Sequence, residues 1–136
     1  FSKLGNWGYK ILHKPHPGSK VLPYPGFSRQ FDTEILLDSF ENTLHKADAF
    51  IFSSVHTTTL SSALASGKPI IFVDLNPSDW IPEAYKLFSR RCRIVQGWYD
   101  VHNRVQVDWD DLKVAIDEAR YLTNSDFYDH YIRVGA

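Results

Sequence analysis

The sequence predicts an α/β fold built on a doubly wound parallel sheet, and three observations carry that prediction. Short apolar runs alternate with stretches of helical periodicity, the pattern of strand–helix–strand crossovers. The run at 70–73, Ile-Ile-Phe-Val, is apolar without alternation, which suits a parallel strand covered on both faces. Between it and the run at 49–53 lies a helical segment closed by Gly67-Lys68-Pro69, the expected stop before a return strand. With 136 residues, 43% hydrophobic and 23% charged, the chain is expected to be a single domain.

The elements follow in order. Residues 1–8 read as the tail of a helix with a Gly-rich exit. Residues 9–13 (YKILH) form a short strand, ended by Lys14-Pro15-His16-Pro17-Gly18, whose prolines cannot continue it. Residues 19–29 carry Pro23, Pro25 and Gly26 and read as loop. A second strand is expected at 34–38. A helix follows at 39–46 with Ser39 as its N-cap, because Phe40, Leu44 and Ala47 share helical spacing. Residues 49–53 make the third strand, an apolar run expected to be buried like the one at 70–73. Leu60, Ala63, Leu64 and Gly67 fall at i, i+3, i+4 and i+7, a helix of about two turns.

The fourth strand is 70–73. A helix is expected over 82–91 with Ala84, Leu87 and Phe88 on one side, then a last strand at 92–95. Residues 108–122 give the clearest helix. Trp109, Leu112, Ala115, Ile116 and Ala119 form its stripe, and Asp108, Asp110 and Asp111 complement the dipole in its first turn. The tail from Thr123 is weakly helical and rich in Tyr and Asp.

By analogy with known doubly wound sheets, the five strands run in the spatial order 34–38, 9–13, 49–53, 70–73, 92–95. The order reverses between 9–13 and 49–53, and ligands bind outside the carboxyl ends of the strands at such a reversal. Those two ends are residues 14–16 and 53–59, both polar. They are expected to face one crevice.

Composition narrows the class. A net charge of −1 gives no global attraction to nucleic acid or to a membrane. Cys92 is the only cysteine, so no internal disulfide forms, which fits a reducing compartment. No apolar run approaches the ~20 residues of a membrane span, and no signal peptide is expected. The chain begins with Phe1 and contains no Met, so it is expected to be a piece of a longer protein. Aromatic residues make up 15%, and Trp80, Trp98 and Tyr99 are expected to form a face on which another domain docks.

The candidate site begins with Ser54, His56, Thr57, Thr58 and Thr59. At a helix start the backbone N–H groups lack intrahelical partners and the dipole is positive, so hydroxyls and N–H groups there can cradle a phosphate. An ordinary N-cap needs only one such hydroxyl. Lys14 and His16 offer a cation and an imidazole to the same anion; the alternative is a solvated turn. His13 lies inside its strand and reads as a packed core histidine. Lys68-Pro69 reads as structural. Asp74, Asp79 and Glu83 could accept from a sugar hydroxyl, or serve as a turn former and helix-start acids. His45, His102 and His130 have no ligand-like spacing, so no metal is assigned. There is no Gly-x-Ser-x-Gly, no Cys-His pair, no phosphate-loop Gly-Lys-Ser/Thr and no GxGxxG.

KPHPG, followed about 30 residues later by ADAFIFSSVHTTTLSSALASGKPIIFVD, resembles the C-terminal, donor-nucleotide-binding half of GT-B-type glycosyltransferases. It is closest in flavour to bacterial surface-polysaccharide and teichoic-acid transferases, which carry a His-Pro after an early strand and a Ser/Thr-rich turn before an EALxxGKP-like helix. The resemblance covers roughly 13–74. It implies a Rossmann-like sheet of flavodoxin-like order over 1–136, in a larger protein whose N-terminal half is absent. It implies that His16, Ser54, Thr57, Thr58 and Thr59 contact the donor's phosphates. Ser62 stands where the family often has an acidic residue on the donor ribose, and a serine supplies only one hydrogen bond there.

The implied activity is transfer of a sugar from a nucleotide-diphosphate donor to a surface polysaccharide or glycan, on the cytoplasmic side. The diphosphate would be stabilised electrostatically, with no metal or other cofactor. The base would come from the missing half, leaving this fragment inactive alone. Three alternatives stay open: a CDP-polyol phosphotransferase domain, a sugar-nucleotide 2-epimerase, which needs further carboxylates, and a non-catalytic module for a phosphorylated ligand or a partner protein.

Overall fold

The computed structural model describes residues 7–9, 11–13, 33–35, 44–53, 58–75 and 80–132. The chain divides into two compact units, Phe1–Ala47 and Asp48–Ala136. In the first, β1 (Ile11–His13) pairs with β2 (Thr33–Ile35) in parallel, Leu12 opposite Glu34. A 3₁₀ turn at Leu44–Lys46 ends it; the rest of the helix expected at 39–46 lies outside the described residues. So does most of the tail expected at 1–8, where only a turn at Trp7 and Gly8 is described.

The second unit runs β3 (Phe50–Phe52), α1 (Thr58–Ala65), β4 (Ile70–Asp74), α2 (Pro82–Ser89), β5 (Arg93–Tyr99), β6 (Val105–Val107), α3 (Trp109–Ala119), and a π-helical turn at Tyr128–Ile132. The sheet order is β3-β4-β5-β6. β3 pairs with β4 and β4 with β5 in parallel, as the apolar runs require. The α/β class and the parallel pairing of 49–53 with 70–73 and of 70–73 with the next strand are therefore as expected.

Three expectations need correction. The strand at 92–95 is not the last: β5 extends to Tyr99 and turns back as β6, antiparallel, with Trp98 opposite Gln106 and Tyr99 opposite Val105. The turn is specified by its residues. Asn103 takes φ 60, a left-handed conformation that Asn tolerates better than most residues, and Asp100 gathers the loop's donors. Next, the strand at 49–53 is not buried throughout. At the edge of the sheet among the described residues, β3 hides Phe50 but leaves Ile51 47% exposed.

Finally, Trp80 does not belong to an exposed aromatic face. It is half-buried and packs on Phe72, Tyr85 and Phe88, with centroids 5.9, 5.4 and 5.0 Å away. Trp98 and Tyr99 are half-exposed, as expected.

β4 is buried along its whole length, Ile70 through Asp74. Around it the core gathers Leu60, Ala63 and Leu64 of α1, Ala84 and Phe88 of α2, Val95 of β5, and Leu112, Ala115 and Ala119 of α3. Each helical set has the spacing that defined it in the sequence. Asp108 is the N-cap of α3, its Oδ1 accepting from the Asp111 N–H at 3.1 Å. Arg93 on β5 ties α3 down through Asp111 (3.1 Å) and Glu118 (3.0 Å). All three are partly exposed, so these ion pairs fix orientation more than they stabilise.

Gly97 sits where β5 lies closest to its neighbours. A Cβ there would come within 2.5 Å of Val73 Cγ1, 3.0 Å of Leu75 Cδ2 and 3.2 Å of the Gln106 carbonyl. Val73 is β-branched on a buried strand and cannot swing away. Gly97→Ala is expected to lower the unfolding free energy by about 1–3 kcal/mol through overpacking. Urea denaturation measures it, and an unchanged midpoint would show that β4 and β5 have room to spread.

Candidate functional site

The direction of α1 decides where its two ends lie. β3 and β4 are parallel, so the connection must return from the carboxyl end of one to the amino end of the other. The amino-end contact is explicit: the Phe50 N–H donates to the Pro69 carbonyl at 2.9 Å. α1 therefore starts at the carboxyl edge of the sheet and travels ~12 Å back across it. Its first residues are Thr58 and Thr59. Thr58 and Thr59, the last residues of the segment that the sequence marks for phosphate, thus begin a helix at the carboxyl edge, as expected.

At the far end α1 is closed with care. Gly67 takes φ 75, the left-handed conformation that ends many helices. Ser66 Oγ donates to the Ala63 carbonyl at 2.6 Å and accepts from the Lys68 N–H at 3.1 Å. The guanidinium of Arg91, 2% exposed, donates to several carbonyls at this end, that of Ala63 included. Nη2 donates to Lys68 O (2.9 Å), Ala63 O (3.2 Å) and Leu64 O (3.2 Å). Nε donates to Leu64 O and Nη1 to Leu122 O, each at 3.4 Å. Burial pushes the guanidinium below its ordinary pKa, partly offset by Cys92. It stays charged, since Arg is not deprotonated in proteins, and its charge complements the negative end of α1.

The other sequence-derived candidates are placed as follows. Ser62 is half-buried on α1, three residues beyond Thr59. Asp74 closes β4, 2% exposed and opposite Gln96 of β5. Glu83 is exposed in the first turn of α2, the helix that follows the carboxyl end of β4. Thr58, Thr59, Asp74 and Glu83 thus belong to one edge of the second unit's sheet. Lys14, His16, Ser54, His56, Thr57 and Asp79, with the crevice expected between 14–16 and 53–59, lie outside the described residues, as does the side chain of Thr58.

Asp108 and Asp111 serve α3 as cap and ion-pair partner, which fits their reading as dipole complement. Among the described residues no group of three or more His, Cys, Asp or Glu is placed to hold a metal ion, and no helix is long and apolar enough to cross a membrane.

Asp100 carries an arrangement that the sequence reading did not single out. Its Oδ1 accepts from the His102 N–H (2.8 Å) and the Arg104 N–H (3.0 Å), and its Oδ2 from Gln106 Nε2 (2.9 Å). These bonds, the one from Arg104 foremost, hold the carboxyl below the usual carboxylate range. They fix the hairpin beyond the carboxyl end of β5. The signal was present as an Asp and an Asn flanking a tight reversal.

Cys92 is fully buried, and burial pushes its thiol from 9.0 up to about 12, partly opposed by Arg91. A thiol so protonated is a poor nucleophile. Disulfide reagents at pH 8 are expected to label Cys92 only as fast as the chain opens, and at once in denaturant. Native labelling at the rate of a free cysteine would contradict this. The sign of the pH effect follows: from 9 towards 12 the unfolded thiol ionises while the folded one does not, so stability falls as pH rises through that window.

Comparison of the chain with family models, with curated proteins and with solved structures gives no match.

Proposed function

We propose that the chain is the donor-binding domain of a GT-B-type glycosyltransferase, moving a sugar from a nucleotide-diphosphate donor to a glycan acceptor on the cytoplasmic side. One observation supports this reading above the others. The stretch from Phe50 to Asp74 folds as strand, helix, left-handed Gly67 and parallel strand, with α1 starting at the carboxyl edge of the sheet. That is where a doubly wound fold receives phosphate. The chain is then a Rossmann-like doubly wound domain, with β6 as a hairpin added at its edge. The start of α1 holds the diphosphate electrostatically as it departs. The reacting base comes from a second half, and no resident cofactor is needed.

A non-catalytic phosphate-binding module is the second reading, and Ser62 favours it. A half-buried serine on α1 cannot give the two-oxygen contact that a carboxylate gives a ribose. A CDP-polyol phosphotransferase domain would use the same phosphate cradle.

NMR titration with UDP, CDP, GDP and inorganic phosphate tests the proposal. Shifts are expected at 54–59, with Lys14 and His16 as further reporters. Losing the Thr58 hydroxyl or the His16 imidazole should weaken binding about ten-fold or more, since each charge-assisted contact contributes ~1.5–3 kcal/mol. A nucleotide preference supports the donor domain. Equal response to all four, inorganic phosphate included, supports the module, and no shift at millimolar ligand removes both.

A further inference from the structure

We draw no further inference here: the strongest candidate, the exposed patch of Trp98, Tyr99 and Val101 on the hairpin joining β5 to β6, carries nothing because nothing in the structure shows what covers it.

Discussion

Replacing Arg91 by alanine is expected to lower the unfolding free energy by about 2–5 kcal/mol, a large share of the 5–15 kcal/mol typical of a domain. The side chain donates to four carbonyls, those of Ala63, Leu64, Lys68 and Leu122. Both Ala63 and Leu64 lie in the last turn of α1; Ala63 O also accepts from the Ser66 N–H (3.1 Å) and Ser66 Oγ (2.6 Å), whereas Leu64 O accepts from Arg91 Nε and Nη2. Removing the guanidinium takes both of these donors from the Leu64 carbonyl, at a cost of roughly 1–3 kcal/mol where water cannot enter. It also empties the largest fully buried side-chain volume among the described residues.

Two further variants separate the causes. Arg91→Met keeps most of the volume and loses every donor, so it should remain strongly destabilised. Arg91→Lys keeps the charge but places three donors at one point, so it cannot span acceptors from α1 to Leu122, and it should fall between the two. Urea midpoints, with amide-exchange protection of β4 to follow the second unit, give the ranking. Near-native stability in Arg91→Met would mean that packing, not carbonyl satisfaction, is what Arg91 provides.

Arg91 also shows where sequence reading stops. Its acceptors are backbone carbonyls 23 to 31 residues away, and a carbonyl leaves no mark on residue identity. By contrast α1 was legible because its determinants are local. Leu60, Ala63 and Leu64 define the buried stripe, and Gly67 supplies the φ of 75 that ends it. α3 was legible for the same reason, from Asp108 through Leu112 to Ala119.

The hairpin was missed because β6 has only three residues, Val105 to Val107, too few for alternation to register. The exposure of Ile51 was missed because an apolar triplet reads alike in a central or an edge strand; only pairing tells them apart. At the candidate site, the sequence correctly put a helix start at Thr58 and a strand end at Asp74. It could not foresee that Asp74 would be 2% exposed, since burial at a strand end is set by tertiary packing rather than by local sequence. Trp80 was misjudged likewise: a Trp in a polar loop looks like a contact residue until Phe72 and Phe88 are seen beneath it.

Phe88→Ala is expected to cost about 3–5 kcal/mol, the range for removing a fully buried aromatic ring. Phe88 is 0% exposed and touches three other rings. Phe72 meets it edge-on at 5.3 Å and 87°, Trp80 lies tilted at 5.0 Å, and Phe127 meets it at 4.9 Å and 63°. Phe72 belongs to β4, and Trp80 to the chain leading into α2. Phe127 leads into the terminal π-helical turn, where it stacks on Tyr131 at 5.1 Å. One ring therefore couples the central strand, its following helix and the C-terminal segment. Aromatic pairs contribute ~0.5–1.5 kcal/mol beyond their buried area, so losing three at once should place this variant towards the upper end of the range. The π-helical turn rests against α1 as well, so its amides should lose protection in Phe88→Ala before those of β4 do. Phe88→Leu, which refills most of the volume without the ring edges, should recover part of the stability but not the coupling. Urea denaturation with residue-resolved amide exchange reads both quantities. If the turn at Tyr128–Ile132 keeps its protection while β4 loses it, Phe127 is held by something other than Phe88.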